Sequence, residues 1–196
     1  KFAHKIFKNY PISEVIYSER LLRDDISYKD KLNFDWKITN ESSKIETYEV
    51  QKATTDFAGR KWTAWFSTDL PFQDGPYKFY GLPGLIVKIE DEGKNYSWVL
   101  QGNKKLTELV EETYSEKLGK QMGQGGAKLE VSRAKFEEMY DAYKKDPFAS
   151  MRPQLAQMPA NFKLPDGTTL SERIKQEEIR LKEFLNRNDN AIELKK

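Results

Sequence analysis

Cysteine is absent from the 196 residues, which excludes disulfides, zinc–thiolate sites and a thiol nucleophile. The single histidine, His4, stands near one end with no partner visible in sequence. A Ser-His-Asp triad or a histidine metal cluster therefore has no raw material. No run of about 18 apolar residues occurs, so no segment reads as a transmembrane helix. Charge of one sign is not in excess: 33 Lys and Arg stand against 31 Asp and Glu, a net +2. That balance leaves no electrostatic footprint for nucleic acid. Gly123-Gln124-Gly125-Gly126 lacks the preceding strand and the Lys-Ser/Thr end of a phosphate loop, and no serine has a Gly-x-Ser-x-Gly setting. With nucleophile, base and metal signatures missing, the expectation is a non-catalytic protein with no cofactor and no metal.

What is present is aromatic and charged. The chain is 38% hydrophobic and 33% charged, but its 13% aromatic content argues against disorder, because rings bury too much area to stay solvated. A modest aromatic core under a charged surface follows. Basic and aromatic residues interleave at Lys61-Trp62 and Tyr77-Lys78-Phe79, which suits amphipathic strands with one wet face better than a base-stacking platform. The chain begins at Lys1 without Met or a signal-like apolar stretch. This reads as a leader removed or a start inside a longer chain.

Residues 1–33 carry scattered apolar positions with no clean period. From there, apolar alternation predicts strands at 34–38, 45–52, 61–68, 85–90 and 96–101. Turns are predicted at 39–43, from short polar side chains, at 57–60, centred on Gly59, and at 91–95. Trp62, Ala64 and Phe66 fall on one face of their strand and Trp65 on the other, so that strand is expected to be central. Residues 104–116 read equally as strand or helix, and 122–126 as a flexible boundary. Ser132 predicts a helix cap, with the helix running to about Lys145 before Pro147. Prolines 153, 159 and 165 make the next stretch irregular. Ser171 opens a charged helix to about Asn186 with a narrow stripe of Leu170, Ile174, Leu181 and Leu185. The fold class is α+β: an antiparallel β-sheet meander, as a curved sheet or half-barrel, with C-terminal helices. Its division is an antiparallel β domain over 1–120 and a helical C-terminal extension over 121–196.

The segment of interest is DGPYKFYGLPGLIVKIED, residues 74–91. Gly75, Pro76, Gly81, Gly84, Leu85 and Ile86 read as a structural motif, because Gly admits backbone conformations and close approaches closed to other residues and Pro stiffens its neighbours. The candidate ligand- or partner-binding residues are Arg60, Trp62, Trp65, Tyr77, Phe79, Tyr80, Leu82 and Pro83. Arg60 suits a structural ion pair with a carboxylate such as Asp56, or stacking on Trp62, more than capture of an anionic ligand. Asp69 with Asp74, and Glu90-Asp91-Glu92, offer carboxylates for acid–base work or a calcium ion. Solvated acids at strand ends are the simpler reading.

The ordered motifs Tyr48, Gln51-Lys52-Ala53, Gly59-Arg60, Ala64-Trp65-Phe66, Gly75-Pro76 and Gly81-Leu82-Pro83-Gly84-Leu85-Ile86 resemble the signature of the GLPGLI family, a Porphyromonas-type family of unknown function. The tail from Asn188 to Leu194 resembles the Asn-Pro-Ile-Glu-Leu ending of many relatives. The chain departs from the pattern at Val50 and Thr47, where Cys and Gly are expected, so any thiol role in the family is absent here. The resemblance implies an exported, periplasmic or envelope-associated protein of Bacteroidota, and it supplies no activity because the family has none assigned. The resulting expectation is a binding or accessory module for an envelope or outer-membrane protein partner, a peptide or an apolar ligand. A purely structural subunit is a further reading, and the contrasting one is a hydrolase with an acidic pair in a cleft, helped by Arg60 or Lys52.

Overall fold

Polar–apolar alternation broken by two-residue turns drives the chain into meandering sheets. The computed structural model describes residues 4–9, 11–12, 14–21, 24–104, 121, 127–157, 163–187 and 191–194. In chain order the strands are β1 (Lys5–Lys8), β2 (Val15–Leu21), β3 (Asp24–Asp30), β4 (Lys37–Ile45), β5 (Tyr48–Phe57), β6 (Arg60–Ser67), β7 (Leu85–Asp91), β8 (Ser97–Val99) and β9 (Lys128–Glu130). The helices are α1 (Arg133–Lys145), α2 (Arg152–Leu155) and α3 (Leu170–Arg187). The protein is α+β, with an open five-stranded sheet ordered β4-β5-β6-β7-β8 and a four-stranded sheet ordered β1-β2-β3-β9. Residues 104–116 and 122–126 lie outside the described residues, apart from Lys104.

Two compact units result, and their bounds interleave along the chain. The first takes 1–5, 16–30 and 114–189, and the second 6–15, 31–113 and 190–196. Contacts thus place 16–30 with the helices and 190–196 with the motif sheet, whereas a cut at 120 groups them the other way.

In the first unit β3 pairs in parallel with β9, setting Ile26 opposite Leu129. This unit corrects the reading of the opening residues as patternless, because β2 and β3 are strands. Their fully buried positions are few (Val15, Leu21, Ile26 and Tyr28), and β9, the partner of β3, lies about a hundred residues away, so local hydrophobicity shows little. Leu21, Ile26, Tyr28 and Phe136 form the core, with Tyr17, Val131, Met139, Tyr140 and Tyr143 against it. His4 is not isolated: its ring stacks on Tyr17 at 5.2 Å. Burial pushes the Glu19 carboxyl up, partly offset by the hydroxyl that Tyr17 donates to it at 2.6 Å.

Helix α1 begins as its sequence predicts. Ser132 accepts a hydrogen bond from the Lys135 N–H at 3.2 Å, Phe136 is the buried residue of the helix, and Lys144 and Lys145 sit in the last turn where cations suit the dipole. Helix α3 buries none of its residues, in keeping with its narrow stripe.

The second unit is the predicted meander, with adjusted turns. The polar stretch 39–43 is not a turn. It lies in edge strand β4, whose register with β5 slips between Ile38 and Ser42, and the chain reverses at Glu46-Thr47 with Glu46 at φ +52°. Short polar side chains suit an irregular edge as well as a turn. Phe34 to Trp36 precede the strand. The Ala58-Gly59 turn and central strand β6 stand where expected. A bulge between β6 and β7 matches Trp65 to Lys88 and Phe66 to Ile86, and both Ile86 and Val87 are buried. Trp62, Ala64 and Phe66 join Ala53, Phe79, Leu82, Ile86, Ile89 and Ile192 in the core.

The capping geometry makes Ser132 a test of the first unit. Ser132→Ala should lower its stability by about 1 kcal/mol, read from urea unfolding followed by circular dichroism. Unchanged stability would remove the cap from the account of α1.

Candidate functional site

The connection from β6 to β7 folds back on itself. The N–H groups of Gly81, Leu85 and Ile86 donate to the carbonyls of Gln73, Leu70 and Asp74 at 3.2, 3.0 and 2.9 Å. Within it, Phe79 N–H closes on Pro76 O at 3.2 Å, and Tyr77 adopts φ +54°, a left-handed conformation uncommon for a bulky residue. The return is possible because Gly84 passes directly over β6: a Cβ there would lie 2.1 Å from the Ser67 carbonyl oxygen. Gly81, at φ +93°, supplies the second permissive position. Leu85 and Ile86 then open β7, with Ile86 buried.

This path turns the loop's rings inward. Phe79 is fully buried, its ring centroid 4.8 Å from that of Trp62 and 5.4 Å from those of Phe34 and Phe57. Trp62 donates its indole N–H to Phe57 O at 3.2 Å, and Trp36 donates to Tyr80 O at 2.8 Å. The Tyr80 hydroxyl donates to Leu32 O. Trp62, Phe79 and Leu82 are therefore core residues, and the expectation that they face a partner is corrected. A β-strand turns alternate residues inward, and the Gly84 crossing turns the loop inward with them. Tyr77 and Tyr80 are half-buried, Pro83 is exposed, and Trp65 is half-buried on the opposite face of β6.

Charged groups fasten the loop. The Lys8 ammonium, its side chain 8% exposed, donates to Asp74 Oδ1 at 2.7 Å and to the carbonyls of Gly75 and Phe79 at 2.8 Å. All three of its donors are thus used. Burial pulls the Lys8 pKa down, with Asp74 partly restoring it. Fully buried Lys78 meets Glu193 Oε1 at 2.6 Å, and the Tyr77 hydroxyl donates to the same oxygen at 2.5 Å.

Arg60 is a structural anchor, with a different carboxylate from the one suggested by sequence. It donates to Asp91 Oδ2 at 2.9 Å and to the carbonyls of Ile192 and Ala191 at 3.0 and 2.8 Å. Its guanidinium lies 5.3 Å from the Tyr96 ring centroid. Asp56 sits one position along, paired with Lys61 across the strands, and alternation directs it to the other face. Burial by itself would raise the Asp91 carboxyl. The Tyr96 N–H, the Asn95 amide and the Arg60 guanidinium outweigh that and hold it below the usual range.

Beyond this face, register aligns Lys52, Trp65, Lys88 and Val99 in one outer row. Lys52 lies 5.8 Å from the Trp65 ring centroid and pairs with Glu41 at 2.7 Å. Lys88 pairs with Glu90 at 2.9 Å. Among the described residues no group of acids and histidine has the arrangement to hold a metal ion, and no helix is long and apolar enough to cross a membrane. Sequence reasoning missed Lys8, Lys78 and Glu193. Lys78 carried one signal, its place between two rings, but nothing local told that it points inward.

The match to a known family falls on this loop. The model of a family described as "Protein of unknown function (Porph_ging)" matches residues 58–88, which run from the Ala58-Gly59 turn through β6 and the Gly84 crossing into β7. No curated protein matches the chain. Two crystal forms of PNGF-II, in space groups C2 and P21, resemble it with TM-scores of 0.46 and 0.45 and identities of 19% and 18%. The similarity covers 67% and 68% of this chain but only 23% and 24% of theirs.

Two outcomes follow from this geometry. Gly84→Val should destabilise by several kcal/mol, about 3 or more, since its Cβ meets backbone rather than a movable side chain. Gly102→Ala, where a Cβ meets nothing within 4 Å, is the control expected to melt with the parent. A Gly84→Val protein equally stable would overturn the folding role of the motif. Asp91 adds a pH signature. Because its folded pKa is depressed, its contribution is complete above the ordinary value of about 3.9 and is lost as pH falls through the lower folded value. Asp91→Asn should cost about 3 kcal/mol at neutral pH, and the gap to the parent should narrow on acidification below 3.9. A gap independent of pH in urea titrations would contradict the pairing.

Proposed function

We propose that this is a non-catalytic, exported cell-envelope protein of the Bacteroidota GLPGLI type, acting as a binding or accessory module for an envelope partner, a peptide or an apolar ligand. The observation that carries this reading is the commitment of the motif's charges to the fold: Lys8 to Asp74, Arg60 to Asp91 and Lys78 to Glu193. General acid–base chemistry needs carboxylates directed at a substrate, and Asp74 and Asp91 are directed at cations of this chain. A further support is the outer row, where the half-buried Trp65 ring lies between Lys52 and Lys88 in register. A rigid ring flanked by charge on a strand scaffold is a common anchor for a protein partner.

The test compares capture of partners from native envelope by the tagged parent, Trp65→Ala and Lys88→Glu. The expected outcome is one partner held in fixed proportion by the parent and about tenfold less by the variants, all three proteins keeping the same circular dichroism. Recovery unaffected by both substitutions, or a protein found in the cytosolic fraction, would overturn the proposal.

A further inference from the structure

The segment 191–194 is neither strand nor helix, yet it is held in the second unit by four different means. The Arg60 guanidinium binds the carbonyls of Ala191 and Ile192 at 2.8 and 3.0 Å. The Ile192 side chain, 7% exposed, joins the cluster that contains Trp62 and Phe79. Glu193 places one carboxylate oxygen within 2.6 Å of the Lys78 ammonium and 2.5 Å of the Tyr77 hydroxyl. The Leu194 N–H donates to Ala58 O at 3.0 Å, in the turn where the Gly59 position lies against the Leu194 side chain. The residues before this segment, 114–189, belong to the first unit.

Such an arrangement is how proteins recognise peptides: main-chain bonds for affinity, with a side-chain pocket and a charge for specificity. The charge is demanding, because Lys78 is fully buried. An ammonium there needs a carboxylate opposite, and replacing that acid leaves an uncompensated buried cation. The neighbouring pocket takes a branched aliphatic side chain among rings.

We infer that the second unit carries a peptide-binding site for a short, bent segment with Ile followed by Glu, occupied in cis by the chain's own tail and able to take the same sequence in trans. This site rests on the reading of the protein as a binding module, and names a peptide as its ligand. A tethered tail acts at an effective concentration in the millimolar range, so a free peptide competes only when the tail is weakened.

The experiment uses the full chain carrying Ile192→Ala and Glu193→Gln, titrated with a fluorescent heptapeptide of the sequence at 190–196. Saturable binding with a rise in Tm is expected. The parent chain should bind the peptide at least about thirtyfold more weakly, because its own tail competes. A peptide with glutamine for its glutamate should lose at least about thirtyfold in affinity for the double variant. A second readout on the parent is hydrogen exchange at the Leu194 N–H, expected to proceed by local release before global unfolding. A folded double variant that ignores the peptide overturns the inference. So does equal binding of the glutamine peptide. If the double variant does not fold, the exchange result decides: a Leu194 N–H released only by global unfolding makes the tail an integral part of the fold and not a ligand. Peptide binding without any envelope partner overturns the envelope reading alone, whereas partner capture without peptide binding overturns this site alone.

Discussion

Where Gly84 crosses β6, a Cβ would come within 2.1 Å of the Ser67 carbonyl oxygen, and the course of the β6–β7 connection depends on that contact being possible. Because the loop lies this close to the strand, Phe79 and Leu82 enter the core, and the register at the start of β7 is set with Ser67 opposite Leu85. A bulky residue at position 84 would lift the loop away and leave the rings around Trp62 without their central partner. The Gly/Pro motif thus acts through backbone geometry, and its aromatic neighbours supply burial rather than an exposed binding surface.

The inward loop brings charge into a small core, and the sequence supplies an opposite for each group. Lys8, Arg60 and Lys78 reach Asp74, Asp91 and Glu193, from positions far apart in the chain. Buried pairs of this kind contribute little net stability relative to apolar residues of the same size, while loss of one partner is severe. Their use here is positional. Lys8 fixes the loop by its carbonyls, and Arg60 and Lys78 fix the tail, so segments from three regions of sequence converge on one sheet. Two of the acids that the sequence offers for acid–base work, Asp74 and Asp91, hold two of these cations.

The outer face of the sheet has a different character. Its row of Lys52, Trp65, Lys88 and Val99 carries one ring among side chains that pair locally, with Glu41 and Glu90. Alternation along β6 therefore separates two tryptophans into two roles: Trp62 as core and Trp65 as the ring of the polar face. Residues of one candidate set in the sequence thus divide by the parity of their position.

Period and punctuation determined much of this protein without tertiary information. The meander from β4 to β8, the Ala58-Gly59 turn, the centrality of β6 and the Ser132-capped helix follow from alternation, turn chemistry and caps, which act over a few residues. The need for glycine at 81 and 84 was legible for the same reason. Tertiary structure decided the rest. The slipped edge of β4 and its reversal at Glu46-Thr47 depend on pairing with β5, and β3 became a strand beside β9, about a hundred residues away. Whether Lys78 points to solvent or to Glu193, and whether Arg60 takes Asp56 or Asp91, could not be read locally, because long charged side chains carry no periodic signal and their partners are chosen by which segments the folded backbone brings within reach.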